Sequence, residues 1–431
     1  MSVSKRIFSG SIVNSAGILM NAFVQLLSFP ILVASWGVEQ FGVWVLLTTI
    51  PTYLALTDLG FIQALTADMA LKAAKDLKKE ALGAFQSVFW LFIAISVGVI
   101  FISFCIFNLH HFVPDRFQSE IILRYGEILF WLAVYSMLTL VSRIPLAGFC
   151  STGNYAIGTF VYDLMVNTCN ICMLMVVFFG GGGVTSAVIT LLVGRILNTV
   201  LFYWFMRYRI NWLYYNIDHA TIGEIKRLFK PAVSAMLIPL STAINLQGIV
   251  LVIGYVLSPA AVAIYQPVRT ASRLAIQVVG IVNRATMPEI AAATAKKSEE
   301  TLKKIRKLNF NLVIFLLLPG GILFAICGAD FVELWSAGQI KPDRLFVFFM
   351  ALATVFHGIW YLYSNVLLAT NSHVVFAKYP ILCAIGGGVL TLCLADALQL
   401  TGVGIALAVA EGSAAIIILV HINKMIPTKP Q

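Results

Sequence analysis

Charge is scarce along this chain. Only 11% of its 431 residues are Asp, Glu, Lys or Arg, against a hydrophobic share of 60% and a mean hydropathy of +0.92. That balance excludes a soluble globular protein, because no single soluble core could bury so much apolar surface. Disulfide chemistry is excluded next. The seven cysteines are odd in number, have no framework spacing and fall mostly inside apolar runs, so they read as small hydrophobes. Cys169 and Cys172 in "CNIC" have redox spacing, but they lie mid-span, where packing accounts for them. No Walker A sequence or other nucleotide motif is present, which excludes ATP-driven transport by this chain itself. Neither a metal-ligand cluster nor a nucleophile–base constellation stands out, so no metal, cofactor or enzymatic activity is expected. The outer loops are short. The longest, "ADFVELWSAGQIKPDR" (329–344), is too small for the external catalytic domain that a glycan polymerase or ligase would carry. The opening "MSVSKRIFSG" is basic but is not followed by a compact apolar region and cleavage site, so the first apolar segment is expected to remain as a span.

What the sequence has in quantity is apolar segments of crossing length. Twelve are legible, at approximately 10–34, 41–66, 85–107, 121–148, 155–179, 184–205, 230–256, 260–290, 308–328, 345–369, 374–395 and 402–422. With the N-terminus inside, twenty of the 29 Lys and Arg fall on the inner side. Only Arg116, Arg124, Lys341 and Arg344 fall outside, and five lie within spans. This asymmetry places both termini in the cytoplasm, and it explains the net charge of +10 without any nucleic-acid partner.

A shift of about 220 residues superimposes polar positions of the two halves. Asn14, Asn21 and Gln25 of the first span fall over Ser234, Ser241 and Asn245 of the seventh, and "WGVEQFGVW" (36–44) falls over "LSPAAVAIY" (257–265). The expected architecture is all-α and integral to the membrane, with twelve helices in two six-helix lobes related by a parallel repeat. The first lobe covers 1–210, a cytoplasmic linker 211–229, and the second lobe 230–431. Prolines inside spans (Pro30, Pro51, Pro145, Pro239, Pro267 and Pro319) would bend helices, as a V-shaped cavity requires, although bent helices also occur in static membrane proteins.

The eighth span is unusual for its arginines. On an unbroken helix Arg269, Arg273, Gln277 and Arg284 share one face, along a stripe of roughly 22 Å. A cation in hydrocarbon costs about 3 kcal/mol or more, so this face must meet water, a counter-charge or a ligand. Arg284, near the cytoplasmic end, could equally snorkel to headgroups. Two more arginines lie in the first lobe. Arg143 could bind substrate or loop carbonyls, and Arg195 could bind substrate or pair with an acid. The acids within or near spans are Asp58, Glu127, Asp163 and Glu411. Glu411, near the centre of the last span, is the first candidate for an ion-coupling site, with Asp58 and Asp163 behind it, and a structural ion pair is the competing reading. His357 reads as a hydrogen-bonded packing residue. The polar positions Asn21, Gln25 and Asn245 complete the candidate substrate-binding set. Together these residues make a mainly cationic interior. Guanidinium forks match phosphate oxygens, so the expected cargo is anionic, with a phosphate or diphosphate group.

The stretch 36–80 resembles the polysaccharide-transporter, or Wzx-like O-antigen flippase, family of the MOP superfamily. The features that carry the resemblance are Phe41, Gly42 and Trp44 of "FG-x-W", the "TDLGF" at 57–61, and the basic amphipathic loop after it. The resemblance implies a V-shaped MOP-type transporter in a bacterial inner membrane. Its cargo would be a polyprenyl (undecaprenyl)-diphosphate-linked oligosaccharide for O-antigen, capsule or exopolysaccharide, moved from the cytoplasmic to the outer leaflet by alternating access. Its lipid tail would stay in the bilayer. A polysaccharide polymerase and chain-length proteins would be its protein partners, and the transporter itself a monomer. Asp58 fits the family pattern, but close packing at Gly60 or ion pairing explains it as well as transport does. Lipid II flippases usually have two further spans, which are not found here. Two alternatives stand beside this reading: a cation-coupled multidrug exporter of the same superfamily, for which an acidic cavity is expected, and a membrane enzyme of glycan assembly. A sugar porter of the major facilitator type would carry a charged motif that "ADMALKAAKDLKKEA" (67–81) lacks.

Overall fold

The computed structural model describes residues 3–58, 60–109, 120–295, 299–369 and 378–425. Within helices, the side chains of Asn245 and Arg284, two of the candidate site residues, lie outside the described residues, as do those of Asn14, Ser234 and Ser241.

The described residues are helical throughout, with no strand among them. The helix Val3–Leu54 has a non-helical Gly37 (φ 79°, ψ 171°), which separates α1 (3–36) from α2 (38–54). Only glycine adopts that conformation without strain. α2 then loosens through a 3₁₀ turn, Ala55–Asp58, and resumes as Phe61–Ala74. α3 is Lys78–Leu109, α4 Glu120–Ser151, α5 Tyr155–Gly180 and α6 Val184–Arg209. α7 starts as Ile222–Ala243, widens through a π-turn, Ile244–Gly248, and ends as Ile249–Val256. α8 is formed by Pro259–Ser272 and Leu274–Ala295. α9 runs from Glu299 to Trp335 through a π-turn, Val313–Leu317, and α10 is Arg344–Ala369. The helix Lys378–Met425 breaks at Gln399 (φ 52°, ψ −140°) into α11 (378–398) and α12 (400–425). Eight stretches among the described residues are long and apolar enough to cross a bilayer, and two of these, Leu19–Leu54 and Ile381–Val420, contain the breaks at Gly37 and Gln399. The helices outside that set are α7 and α8. The described residues form twelve helices, and the chain is an all-α, multi-pass membrane protein.

Packing divides the chain into two compact units. The first comprises Met1–Val24 and Leu47–Pro239, and the second Gln25–Leu46 and Leu240–Gln431. In the first, Phe61, Phe85, Phe92, Phe149 and Phe202 are fully buried with Met69 and Met206. Burying such side chains contributes roughly 1.5–3 kcal/mol each. The connection 210–221 belongs to this core. Gln86, itself buried, accepts from the His219 N–H at 2.9 Å and donates to the Tyr214 carbonyl at 3.3 Å. The Thr221 N–H donates to Ser87 Oγ at 2.8 Å, and Tyr215 stacks on Phe89 at 3.9 Å. At the start of α7, Arg227 forms a two-pronged pair with Asp68 (2.6 Å to each oxygen), and Lys72 reaches both Asp68 and Glu224 at 3.1 Å. These salt bridges tie the end of α2 to α7.

The second unit is built on Tyr265, Val279, Leu317, Phe346, Leu362 and Ile418. Residues 25–46 join it through Phe29, whose ring meets Trp335 at 4.5 Å, and through the Leu26 carbonyl, which accepts from the Trp335 indole N–H at 3.1 Å. Gly42 lies directly against the Pro259 backbone, leaving no room for a side chain.

Candidate functional site

α8 enters the second unit through Ser258, whose hydroxyl caps the Ala261 N–H at 3.1 Å, followed by Pro259 in the first turn. The helix then carries Tyr265 and Arg269 inward and ends its first section at Arg273. Here the structure departs from an unbroken polar stripe. The Ser272 hydroxyl and the Arg273 N–H both reach back to the Arg269 carbonyl, at 3.1 and 3.2 Å, and the Ile276 N–H closes a tighter turn on the Arg273 carbonyl at 3.0 Å. A side-chain hydroxyl competing for a helix carbonyl favours such a departure. After it, the helical phase is no longer that of the first section. Gln277 is half-buried and is not part of the cavity wall that holds Arg269 and Arg273.

The two arginines meet opposite chemistry. Arg269 donates to the Leu246 carbonyl, inside the π-turn of α7, and to Gln266 Oε1 at 2.8 Å, and its guanidinium lies over the Tyr265 ring at 5.4 Å. Arg273 Nη2 lies 2.9 Å from His357 Nε2 on α10, and His357 Nδ1 lies 3.1 Å from Glu411 Oε2 on α12. The same carboxylate oxygen accepts from the Trp360 indole N–H at 2.5 Å. Glu411 is a buried carboxylate, 5% exposed, held by an indole and an imidazole. A small cavity, of about 20 Å³, opens beside these groups. Its polar wall is Arg269, Arg273, His357, Glu411 and Thr354, and Leu246, Met350 and Leu407 are among the rest. Two guanidiniums against one carboxylate leave the wall cationic, and in a medium of low dielectric each charge counts for more than it would in water.

The other candidates lie elsewhere. In the first unit Arg143 pairs with Asp58 at 3.2 Å, and Asp58, 6% exposed, also accepts from the Gly60 N–H at 2.9 Å. Gly60 holds φ 75° and touches the Ala232 carbonyl, so a side chain there would be both strained and obstructed. Arg195 is 3% exposed; it donates to the Tyr135 hydroxyl at 2.9 Å with its guanidinium 5.1 Å from that ring, and its Nε has no partner among the described residues. Asp163 is half-buried against Gly17. Asn21 is half-buried, and Gln25 is exposed in the second unit. The cavity therefore gathers Arg269, Arg273 and Glu411 from the candidate set, and adds His357, Trp360, Tyr265 and Thr354 to the wall or its supports. Thr354, His357 and Trp360 follow one another at three-residue spacing in the mainly apolar α10, and that spacing is the available signal for a polar face.

The fold is shared with known transporters. The chain matches the inward-facing structure of a multidrug resistance MATE family transporter of the MOP superfamily with a TM-score of 0.77 at 14% identity, over 96% of this chain and 98% of that one. It matches a MOP superfamily transporter from Pyrococcus furiosus with a TM-score of 0.66 at 15% identity, over 98% and 95% of the two chains. It also matches a Vibrio cholerae MATE transporter with a TM-score of 0.65 at 14% identity, over 99% and 97%. No curated protein sequence matches the chain. The family model described as "Polysaccharide biosynthesis protein" matches residues 36–339. With a family match over most of its length, the chain belongs to the polysaccharide biosynthesis protein family, and it has the fold of MOP superfamily transporters.

Proposed function

We propose that this protein is a flippase for a polyprenyl-diphosphate-linked oligosaccharide. On this reading it moves the cargo from the cytoplasmic to the outer leaflet of a bacterial inner membrane, by alternating access, for O-antigen, capsule or exopolysaccharide assembly. The observation that carries the reading is the sign of the cavity, where Arg269 and Arg273 stand against the single carboxylate of Glu411. Paired guanidiniums on rigid helices suit a diphosphate in charge and geometry. The cavity volume of about 20 Å³ is far below the roughly 300–1,000 Å³ of ligand pockets, so on this reading the cargo enters only when the wall opens wider during the transport cycle. We assign the arginines of this wall the diphosphate, not the glycan. The lipid tail remains in the bilayer, both termini face the cytoplasm, and the transporter works as a monomer alongside the polymerase and chain-length proteins.

The alternative is cation-coupled drug export, since MATE multidrug transporters share the fold. A cationic drug would meet two arginines here, which disfavours it. The Pyrococcus furiosus neighbour is itself described as having a binding pocket of reverse polarity that suggests a different function. The test is complementation of a flippase-deficient strain. Arg273→Ala is expected to abolish surface polysaccharide while membrane abundance is unchanged, and Arg273→Lys to retain part of the activity. Lipid-linked oligosaccharide should accumulate on the inner leaflet in the null strain. Full complementation by Arg273→Ala would overturn the proposal.

A further inference from the structure

The hydrogen-bond chain across α8, α10 and α12 has a direction. A guanidinium only donates and stays charged, so His357 Nε2, 2.9 Å from Arg273 Nη2, must be the acceptor. The single imidazole proton is then on Nδ1, which donates to Glu411 Oε2 at 3.1 Å. Neutral His357 is held at both nitrogens, and in that form it engages a donor of Arg273. The ring faces Arg273, with Arg269 and Tyr265 further along α8, and Glu411 from α12. Trp360 and Tyr361 flank it on α10, and Cys383 of α11 lies toward Glu411.

We propose that His357 is a positioning residue that sets how many donors Arg273 offers to an anionic ligand, and that one proton on its Nε2 releases them. The inference rests on the anionic-cargo reading above. A hydronium ion in the cavity gives its proton to the Nε2 lone pair and leaves as water. The Nδ1–H bond to Glu411 survives, now joining an imidazolium to a carboxylate. Both ring nitrogens are then donors, so Nε2 can no longer accept from Arg273, and two cations face one another. Arg273 turns its freed N–H groups to the cavity, whose charge rises by one. Proton uptake and anion binding then favour each other, as linkage requires. For one linked proton the affinity changes by at most about tenfold per pH unit.

The test uses the full-length protein in lipid nanodiscs and methanedisulfonate, a dianion that does not itself titrate near neutrality. Calorimetric titrations from pH 5.5 to 8.5 should show affinity rising toward acid by several-fold to about tenfold per unit within the His357 titration range. Binding heats in buffers of different ionisation enthalpy should reveal proton uptake. His357→Gln should still bind the dianion, with an affinity that no longer depends on pH. A flat pH profile in the unmodified protein, or an undiminished slope in His357→Gln, would overturn the relay while leaving an anionic cavity intact. Failure of the unmodified protein to bind the dianion at any pH would instead bring down the anionic-cargo reading, and this inference with it. Should His357→Gln not fold, His357→Asn, which keeps a donor toward Glu411, decides by the same slope.

Discussion

Asp58 separates a structural from a transport role, because its two oxygens do different work. Oδ1 accepts from the Gly60 N–H at 2.9 Å, and Oδ2 pairs with Arg143 at 3.2 Å. Asp58→Asn can keep the first bond, but it turns an amide donor toward a guanidinium that can only donate. Asp58→Ala loses both. A hydrogen bond to a charged group contributes about 1.5–3 kcal/mol, and a buried N–H left alone costs about 1–3 kcal/mol. The Arg143 side chain is 32% exposed, so water screens part of the pair. The expected losses are about 1–2 kcal/mol for Asp58→Asn and about 2–4 kcal/mol for Asp58→Ala. In a double-mutant cycle with Arg143→Ala, the coupling energy should be about 1–2 kcal/mol. Reversible unfolding in mixed micelles measures all four proteins, and surface polysaccharide measured per folded molecule gives export. If Asp58 is structural, Asp58→Asn exports normally once corrected for abundance. Equal losses for the Asn and Ala variants would refute the Gly60 contribution, and strict additivity would refute the ion pair. A fully stable Asp58→Asn that exports nothing would return Asp58 to the coupling machinery.

Gln86→Leu should free the 210–221 connection by removing the bonds to His219 and Tyr214, and amide exchange at His219 should accelerate by about tenfold or more; unchanged exchange would show that Tyr215 stacking alone holds it. The Asp68 carboxyl is raised by burial, but hydrogen bonds from Arg227 and Lys72 outweigh this and hold it below the usual carboxylate range. A depressed folded-state value contributes stability that is present above about pH 4 and is lost as pH falls. The destabilisation caused by Asp68→Asn should accordingly be full at pH 7 and shrink below about pH 4, and a pH-independent difference would contradict it.

Much of the fold is legible from composition alone, because a bilayer imposes its thickness on every apolar run. Helix breaks at Gly37 and Gln399, between apolar runs, also follow from span length. What local pattern does not carry is partnership. That Trp335 donates to Leu26, and that residues 25–46 pack within the second unit, depends on side chains hundreds of positions apart. The arginine cluster shows the same limit. Helical spacing brings Arg269 and Arg273 to one place but also includes Gln277, because a period of 3.6 assumes that the helix continues. The Ser272 hydroxyl interrupts it, a signal of one atom in a long, mainly apolar span. The sequence shows His357 as a hydrogen-bonded residue but cannot name its partners, because Arg273 and Glu411 lie on two other helices.

The presence of Glu411 in a cavity proposed for an anion needs a reason. Two guanidiniums with no counter-charge would pay the full cost of desolvation in the empty protein, and they would bind a diphosphate too tightly to release it. A transporter gains nothing from affinity that it cannot reverse. Glu411 is linked to Arg273 through His357. Such a counter-charge lowers the energy of the empty site while leaving guanidinium donors within reach of an anion. It also gives the cargo a competitor already in place. On the proposed reading, an acidic headgroup that takes the Nη2 donor displaces His357, and when the headgroup departs the imidazole is there to reclaim it. Binding and release then differ by the exchange of one acceptor for another, a smaller step than creating or abandoning a naked charge in hydrocarbon.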